Sequence, residues 1–336
     1  MAGASWGVVA TVDEPAPLVA AMVAHHLAQG AAEVFIYLDR PDGDLRALIG
    51  DLPGVRIIEC DAAYWAGQRH AGRHGGDHVW RQVMNANHAY ARARVDWLLH
   101  CDADEFIADG AALAAELAAL PAGVHSLIIP NVERFFPRGQ GPGHLFDGRF
   151  RQPRRWYRLV GRLIHGADWR LFQNGLGAHA LGKSVTRTRC ARWVEIHRAA
   201  RQRDTGRPTV FARSRGCRIV HFDGITPAHW QAKMRRLHAE LPDRTYGRLS
   251  PTRRFVMRAL DGAGDAGVLD RAFDRVQRAG LWQRLAMRAV GMIWPQRFDP
   301  RPGIARICPA ALIGIDEFDA VLARRTAAAP TAIAAE

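Results

Sequence analysis

From Trp6 to Pro130 the chain alternates between short apolar runs and segments of helical spacing, and this alternation limits the fold more than any other feature. The apolar runs are Trp6 to Val12, Val34 to Leu38, Val55 to Ile58, Trp97 to His100 and Val124 to Pro130. Each is short, aliphatic and bounded by turn residues, as strands are. Between them, residues 15–29, 45–52, 78–94 and 111–120 read as helices, the first entered at Pro15 and stopped at Gly30. A Gly/His/Arg loop fills 67–76. Such alternation predicts an α/β fold: a doubly wound, mostly parallel sheet with helices on both faces and right-handed crossovers.

Beyond this region the pattern changes. Residues 134–175 are rich in Gly, Pro and Arg with no clear period, which predicts a long functional loop. Two β-like runs follow at 184–189 and 217–222, and from Pro227 to about Trp294 the chain is mostly helical and basic. The end of the chain, "RTAAAPTAIAAE", predicts a disordered tail over 324–336.

Three of the expected strands end in acids: "TVDEP" (Asp13, Glu14), "YLDRPDGD" (Asp39, Asp42, Asp44) and "CDADEF" (Asp102, Asp104, Glu105). In an open parallel sheet, ligands bind outside the carboxyl ends of the strands. The chain as a whole is basic, with 46 Lys and Arg against 33 Asp and Glu, a net +13. Acids gathered on one edge of such a protein need a counter-ion: a lysine, an arginine or a metal. In an extended segment Asp102 and Asp104 point the same way and can share one hard divalent ion. Glu105 then points into the protein, toward an arginine or a backbone donor. The competing reading is that "DADE" caps the next helix; its place directly after a buried strand favours metal and nucleotide.

The positive charge is almost all arginine, lysine occurring only at Lys183 and Lys233. It suggests an anionic partner, and it is equally what a GC-rich coding sequence produces. No run approaches the ~18 apolar residues of a spanning helix. The N-terminus has no basic and apolar leader pattern. Five scattered cysteines (Cys60, Cys101, Cys190, Cys217, Cys308) fit a reduced, cytoplasmic protein, peripheral at most on the inner membrane face. No RNA-recognition or helix-turn-helix signature is present, so no specific nucleic acid is expected.

The stretches "TVDEPAPLVAAMVAHHLAQGAAEVFIYLDRPDGD", "DWLLHCDADEFI", "GKSVTR" and "VHFDG" with "HWQAKMRR" resemble a glycosyltransferase family 2-like group with the GT-A fold, over roughly residues 6–240. The resemblance implies a metal-dependent, hexosyltransferase-type enzyme that inverts the anomeric carbon. It would move a sugar from a nucleoside-diphosphate donor to a hydroxyl of a glycan or lipid-linked acceptor in cell-envelope or exported polysaccharide synthesis. By that resemblance Thr11 and Glu14 lie near the base and Asp39 near the uracil or ribose. Asp102 approaches the ribose or the metal, Asp104 binds the metal as the central catalytic carboxylate, and His221 closes the metal or diphosphate from the other side. The cofactor would be Mn²⁺ or Mg²⁺. Glu133, just past the fifth strand, is a candidate general base, with an ordinary surface carboxylate as its rival reading. The segment "NVERFFPRG" departs from the group's pattern on the acceptor side. Residues 1–132 would then form the nucleotide-sugar half, 133–240 the acceptor-side and diphosphate-closing half, and 241–323 a basic helical C-terminal extension.

Several motifs compete. "GAHALGKS" matches a phosphate loop letter for letter, yet "SVTRTR" follows it as a strand, so no helix N-terminus is there to bind phosphate. Lys183 within it remains a nucleotide-binding candidate or the partner of an acid. His70, His74 and His78 recur every four residues among glycines, which favours a solvated loop over a metal site. Of His25 and His26, one is expected in the core and the other exposed; His197 reads as structural or as a site residue. Residues 278–298 mix Leu281, Trp282, Leu285, Met292 and Trp294 with arginines, which suits either a peripheral membrane contact or a helix packed on the protein. A nucleotidyl- or phosphoryl-transfer enzyme, a basic nucleic-acid-binding protein and a catalytically silent scaffold remain as rival functions.

Overall fold

The structure is a computed structural model that describes residues 4–68, 78–190, 193–197, 199, 208–241, 246–247, 249–263 and 267–328. In chain order the elements begin β1 (Trp6–Val12), α1 (Ala16–Ala28), β2 (Glu33–Leu38), α2 (Gly43–Ile49), β3 (Val55–Glu59), α3 (Ala62–Ala66), α4 (His78–Tyr90) and β4 (Trp97–His100). There follow β5 (Glu105–Ile107), α5 (Gly110–Ala119), β6 (Ser126–Ile129), β7 (Asn131–Pro137), β8 (Arg149–Arg151), α6 (Tyr157–His165) and β9 (Lys183–Arg187). Then come β10 (Phe211–Arg213), β11 (Ile219–His221), α7 (Pro227–Glu240), α8 (Pro251–Ala263), α9 (Val268–Gln277) and β12 (Arg278–Ala279). The last are α10 (Leu281–Ala289), α11 (Arg301–Ile307) and α12 (Ile315–Ala327). Two compact units interleave along the chain instead of following as sequential blocks. One holds residues 1–131, 181–221 and 300–312; the other holds 132–180, 222–299 and 313–336.

The first unit is the α/β fold that the alternation predicts. Its seven-stranded sheet has the order β10-β6-β9-β4-β1-β2-β3. β1 pairs in parallel with β2 and β4, β2 with β3, and β6 with β10, while β9 runs antiparallel to both β4 and β6. β9 is thus the one reversed strand. Val9, Phe35, Tyr37 and Leu98 share a core with Ala86, Ala89 and Tyr90 of α4. Because strand side chains alternate, Val8, Val34 and Ile36 turn to the opposite face, the side of the β1–β2 crossover helix α1. α11 covers α1 in turn, and this coverage corrects one expectation: His25 and His26 are both buried. His25 Nε2 meets the Ile107 carbonyl at 2.7 Å and His26 Nδ1 the Met22 carbonyl at 2.8 Å. Burial lowers their pKa values to about 4 and about 3.

In the second unit β7 pairs antiparallel with β8 and in parallel with β12. One core gathers Trp230, Met234, Val256, Met257, Leu269 and Phe273 from α7, α8 and α9. Another joins Phe135, Tyr157, Ile164, Met287 and Met292. The expected loop at 134–175 is therefore not a loop, since it holds most of β7, all of β8 and α6, and a 3₁₀ turn at Gly166–Leu171. Its helical period is blurred because Leu159 and Leu163 of α6 point to solvent while Tyr157 and Ile164 point inward. Residues 324–327, expected in a tail, are the last turn of α12, which continues to Ala327; residues 329–336 lie outside the described residues.

Candidate active site

The counter-ion question has a direct answer at the end of β4. Residues 102–105 form a turn, closed by the Glu105 N–H donating to the Asp102 carbonyl at 3.1 Å. The turn corrects the expectation of an extended D-x-D pair: Asp102 and Asp104 are met by different partners. Lys183 Nζ donates to Asp102 Oδ2 at 2.8 Å and lies 3.1 Å from Glu105 Oε2. The Asp102 N–H also donates to Glu105 Oε2 at 2.9 Å. Glu105 therefore does face inward, but its counter-ion is a lysine.

Topology brings this lysine in. A strand that runs against its neighbours starts where they end, so the first residue of β9 lies at the carboxyl edge of β4 and β6. Gly182, immediately before it, has φ +76°, and a Cβ there would stand 2.3 Å from the Ile129 carbonyl oxygen. The glycine of "GKS" is thus explained by entry into a strand, and the phosphate-loop resemblance is only in letters. The Lys183 and Glu105 side chains are sealed at 0% exposure, whereas that of Asp102 keeps 35%. Desolvation pushes the Asp102 carboxyl up, but the charge and hydrogen bond of Lys183 overturn this and hold it well below the usual carboxylate range. Burial likewise works against the Lys183 charge, and Asp102 and Glu105 more than reverse it. The result is a fixed cation supporting an ionised carboxylate that one face leaves open. His100, just before the turn, is fully buried and lowered to about 4 by desolvation, then by Lys183.

β11 pairs antiparallel with β5, with His221 opposite Glu105. This register brings His221 Nε2 to 3.7 Å from Asp104 Oδ2, both residues being nearly buried. That spacing is too long for a hydrogen bond and suits two donors of one coordination sphere. Among the described residues no group of three or more His, Cys, Asp or Glu is gathered for one metal ion. The Oδ2 of Asp102 is held by Lys183. Asp104 and His221 offer a carboxylate and an imidazole. Such a pair fits Mn²⁺ or Mg²⁺ when substrate phosphates and water complete the shell.

The other nucleotide candidates lie along the same edge. The Asp39 N–H bonds to the Val12 carbonyl, so the ends of β1 and β2 stay level. Thr11 is buried and accepts from Asn85 Nδ2 at 3.0 Å, and Tyr64 in turn donates to Asn85 Oδ1 at 2.7 Å. Glu14 follows β1, half exposed. Asp39 is gripped by Arg81 at 3.0–3.2 Å and by His78 at 3.2 Å, and despite desolvation these bonds hold its carboxyl low. Arg81, Gln82 (3.3 Å from Asp102 Oδ1) and Asn85 were not foreseen as site residues. All three fall at helical spacing on α4, with Gln82 and Asn85 buried, and polar residues on an inward helix face were the available signal. His78 belongs to this polar edge; His70 and His74 lie outside the described residues. His197 Nδ1 is 3.2 Å from the Gly182 carbonyl, which ties it to the entry of β9.

Glu133 is in neither expected state. It is fully buried in the second unit, paired with Arg151, and accepts from the N–H groups of Gly177 and Ala178 at 2.8 and 2.7 Å. A carboxylate so engaged has no lone pair facing a substrate, so it is neither a general base nor a surface group.

No protein-family model matches the chain, and no curated protein is similar to it in sequence. Among solved structures it is similar to S. aureus TarS 1-349, with 11% identity over 97% of this chain and 93% of that one, at a TM-score of 0.32. GalNAc-T7 with UDP, GalNAc and Mn²⁺ matches 86% of this chain and 57% of its own, with 10% identity and a TM-score of 0.36. A CMP:2-keto-3-deoxy-manno-octonic acid synthetase complexed with CTP matches 38% of this chain at 10% identity and a TM-score of 0.25. This chain spans about half the length of that synthetase (53%). At TM-scores this low, none of them assigns an activity to this chain.

Proposed function

We propose that the chain is a glycosyltransferase that takes a sugar from a nucleoside-diphosphate donor and passes it to a hydroxyl acceptor. The observation that carries this reading is the turn after β4, where a sealed lysine holds a half-open aspartate and the next aspartate meets a histidine from β11. In this reading the open Asp102 carboxylate accepts hydrogen bonds from the vicinal hydroxyls of a ribose. Lys183 keeps it ionised while staying out of solvent itself. Asp104 and His221 would hold Mn²⁺ or Mg²⁺, which when bound supplies positive charge to the departing diphosphate. Asp39, fixed by Arg81 and His78, and Thr11, fixed by Asn85, set the floor of the base and ribose region. Inversion at the anomeric carbon, hexosyl transfer, and a glycan or lipid-linked acceptor follow the sequence resemblance. The five unpaired thiols fit a reducing compartment, which supports a cytoplasmic place of action.

The deciding experiment is thermal shift with UDP, GDP, CDP and ADP, each with Mn²⁺ and with EDTA, since a ligand bound to the native state raises apparent stability. One nucleotide should stabilise the protein only with the ion, and Asp104→Ala should abolish the difference between ion and EDTA. His221→Ala should keep the fold and most nucleotide binding but lose transfer by roughly a hundredfold, as for one lost stabilising donor in a transition state. Equal nucleotide affinity in EDTA and Mn²⁺ would defeat the reading. Release of pyrophosphate from a nucleoside triphosphate and a sugar phosphate would replace it with nucleotidyl transfer.

A further inference from the structure

Ten large hydrophobic side chains are exposed among the described residues, and six of them lie on or directly before two helices of the second unit. Trp156, Leu159 and Leu163 run along α6, and Leu281, Trp282 and Leu285 along α10. Leu159 is 86% exposed and Trp282 64%, values that no packed helix face shows. The two helices touch, and Tyr157 and Ile164 of the first share a buried cluster with Met287 of the second, so the exposed apolar residues belong to neighbouring helices of the same unit. Met292 and Trp294, which the sequence left open to either a membrane contact or packing on the protein, are core.

Charge identifies the occupant. Residues 148–167 and 275–298 contain eleven arginines and not one Asp or Glu; Arg151, Arg275 and Arg278 are paired with Glu133, Asp168 and Asp274, and the other eight have no carboxylate within these segments. Arg155, Arg158, Arg162 and Arg288 are exposed beside the apolar residues, and Arg284 is half-buried. A second copy of this chain laid on the face would bring arginine against arginine, which repels. A lipid surface with anionic headgroups matches both halves, its phosphates meeting arginine and its acyl boundary meeting leucine and tryptophan. Each helix has nine residues, ~13 Å at 1.5 Å per residue, and so can lie in the interface without spanning it. No helix among the described residues is long and apolar enough to cross a membrane. We infer that α6 and α10 form an in-plane docking surface for anionic lipid bilayers. The inference stands apart from the proposed transfer reaction, because binding is read with no donor present.

The experiment is flotation of the full chain with vesicles of pure phosphatidylcholine and of phosphatidylcholine with 30% phosphatidylglycerol, in 0.1 M salt. Partitioning should be about tenfold or more stronger with the anionic lipid, given about 1 kcal/mol for each arginine near the surface. Raising the salt should weaken it. Leu159→Glu with Leu281→Glu should remove flotation while leaving the melting temperature unchanged, since both side chains are exposed. Arg158→Ser with Arg162→Ser should remove the preference for anionic lipid and keep the fold. No flotation with either vesicle, or equal flotation of the glutamate variant and the wild type, would overturn the inference. So would a dimer in sedimentation velocity that the glutamate variant loses, which would assign the face to a second copy.

Discussion

Lys183 in one unit and Arg151 in the other are both sealed cations facing carboxylates, yet the two centres do opposite things with their oxygens. Around Arg151 the Glu133 carboxylate is consumed: the guanidinium and two backbone N–H groups occupy it, and none of it reaches solvent. Around Lys183 one carboxylate, Glu105, is sealed, while Asp102 keeps a third of its surface open. Buried charge alone does not mark a functional site. What marks it is a buried charge whose partner still has a face to offer.

The largest test of this contrast is Glu133→Ala. It strands the buried Arg151 and two amides, so unfolding in denaturant should show a loss of about 3–5 kcal/mol. Nucleotide affinity of the protein that remains folded should not change. A variant of normal stability that has lost transfer would erase the contrast and return Glu133 to the chemistry.

Acid should separate the units next. Buried His25, His26 and His100 in the first unit, and His165 in the second, are lowered to about 3–4 by desolvation foremost. Their unfolded forms titrate near 6.5, so the unfolded chain binds more protons between about 6.5 and 4. Stability contributed by their neutral burial is full above 6.5 and is lost as pH falls through that window, at roughly 2 kcal/mol per imidazole by pH 5. The Asp102–Lys183 pair, with its carboxyl pKa depressed, gives way only below the ordinary aspartate value of about 3.9. With three such imidazoles against one, the first unit should lose hydrogen-exchange protection at a higher pH than the second.

The smallest effect should come from Asp102→Asn. Lys183 keeps Glu105, so the change in stability should stay within about 1 kcal/mol, the scale of one charge-assisted bond partly exposed to water. Nucleoside-diphosphate affinity, measured by calorimetry, should still fall about tenfold, equivalent to 1.4 kcal/mol. A large loss of stability with unchanged affinity would make Asp102 a second Glu133.

Much of the first unit was legible because parallel strands buried on both faces leave plain apolar runs, as from Val8 to Val12 and from Val34 to Leu38. The acidic strand ends were legible for the same reason. What could not be read was pairing across long separations. Lys183 and Asp102 stand 81 residues apart, and only the sheet order brings them together. Glu133 and Arg151 are near in sequence, but nothing in the letters says that their hairpin is buried. α6 escaped notice because its exposed leucines contradict the usual inward stripe, and they do so where the lipid-facing surface is inferred.

The reversed strand β9 also has a consequence for the order of folding. β4 and β6 flank it on either side, so the centre of the sheet stays divided until the chain has been made past Arg187. Up to that moment Asp102 and Glu105 have only water to balance their charge, and burying them would be strongly unfavourable. Closure of this long loop must therefore precede drying of the ligand edge, which makes it a slow, non-local step. During synthesis the lysine acts as a latch that arrives late, and a nascent chain that ends before it leaves two strand edges open to solvent.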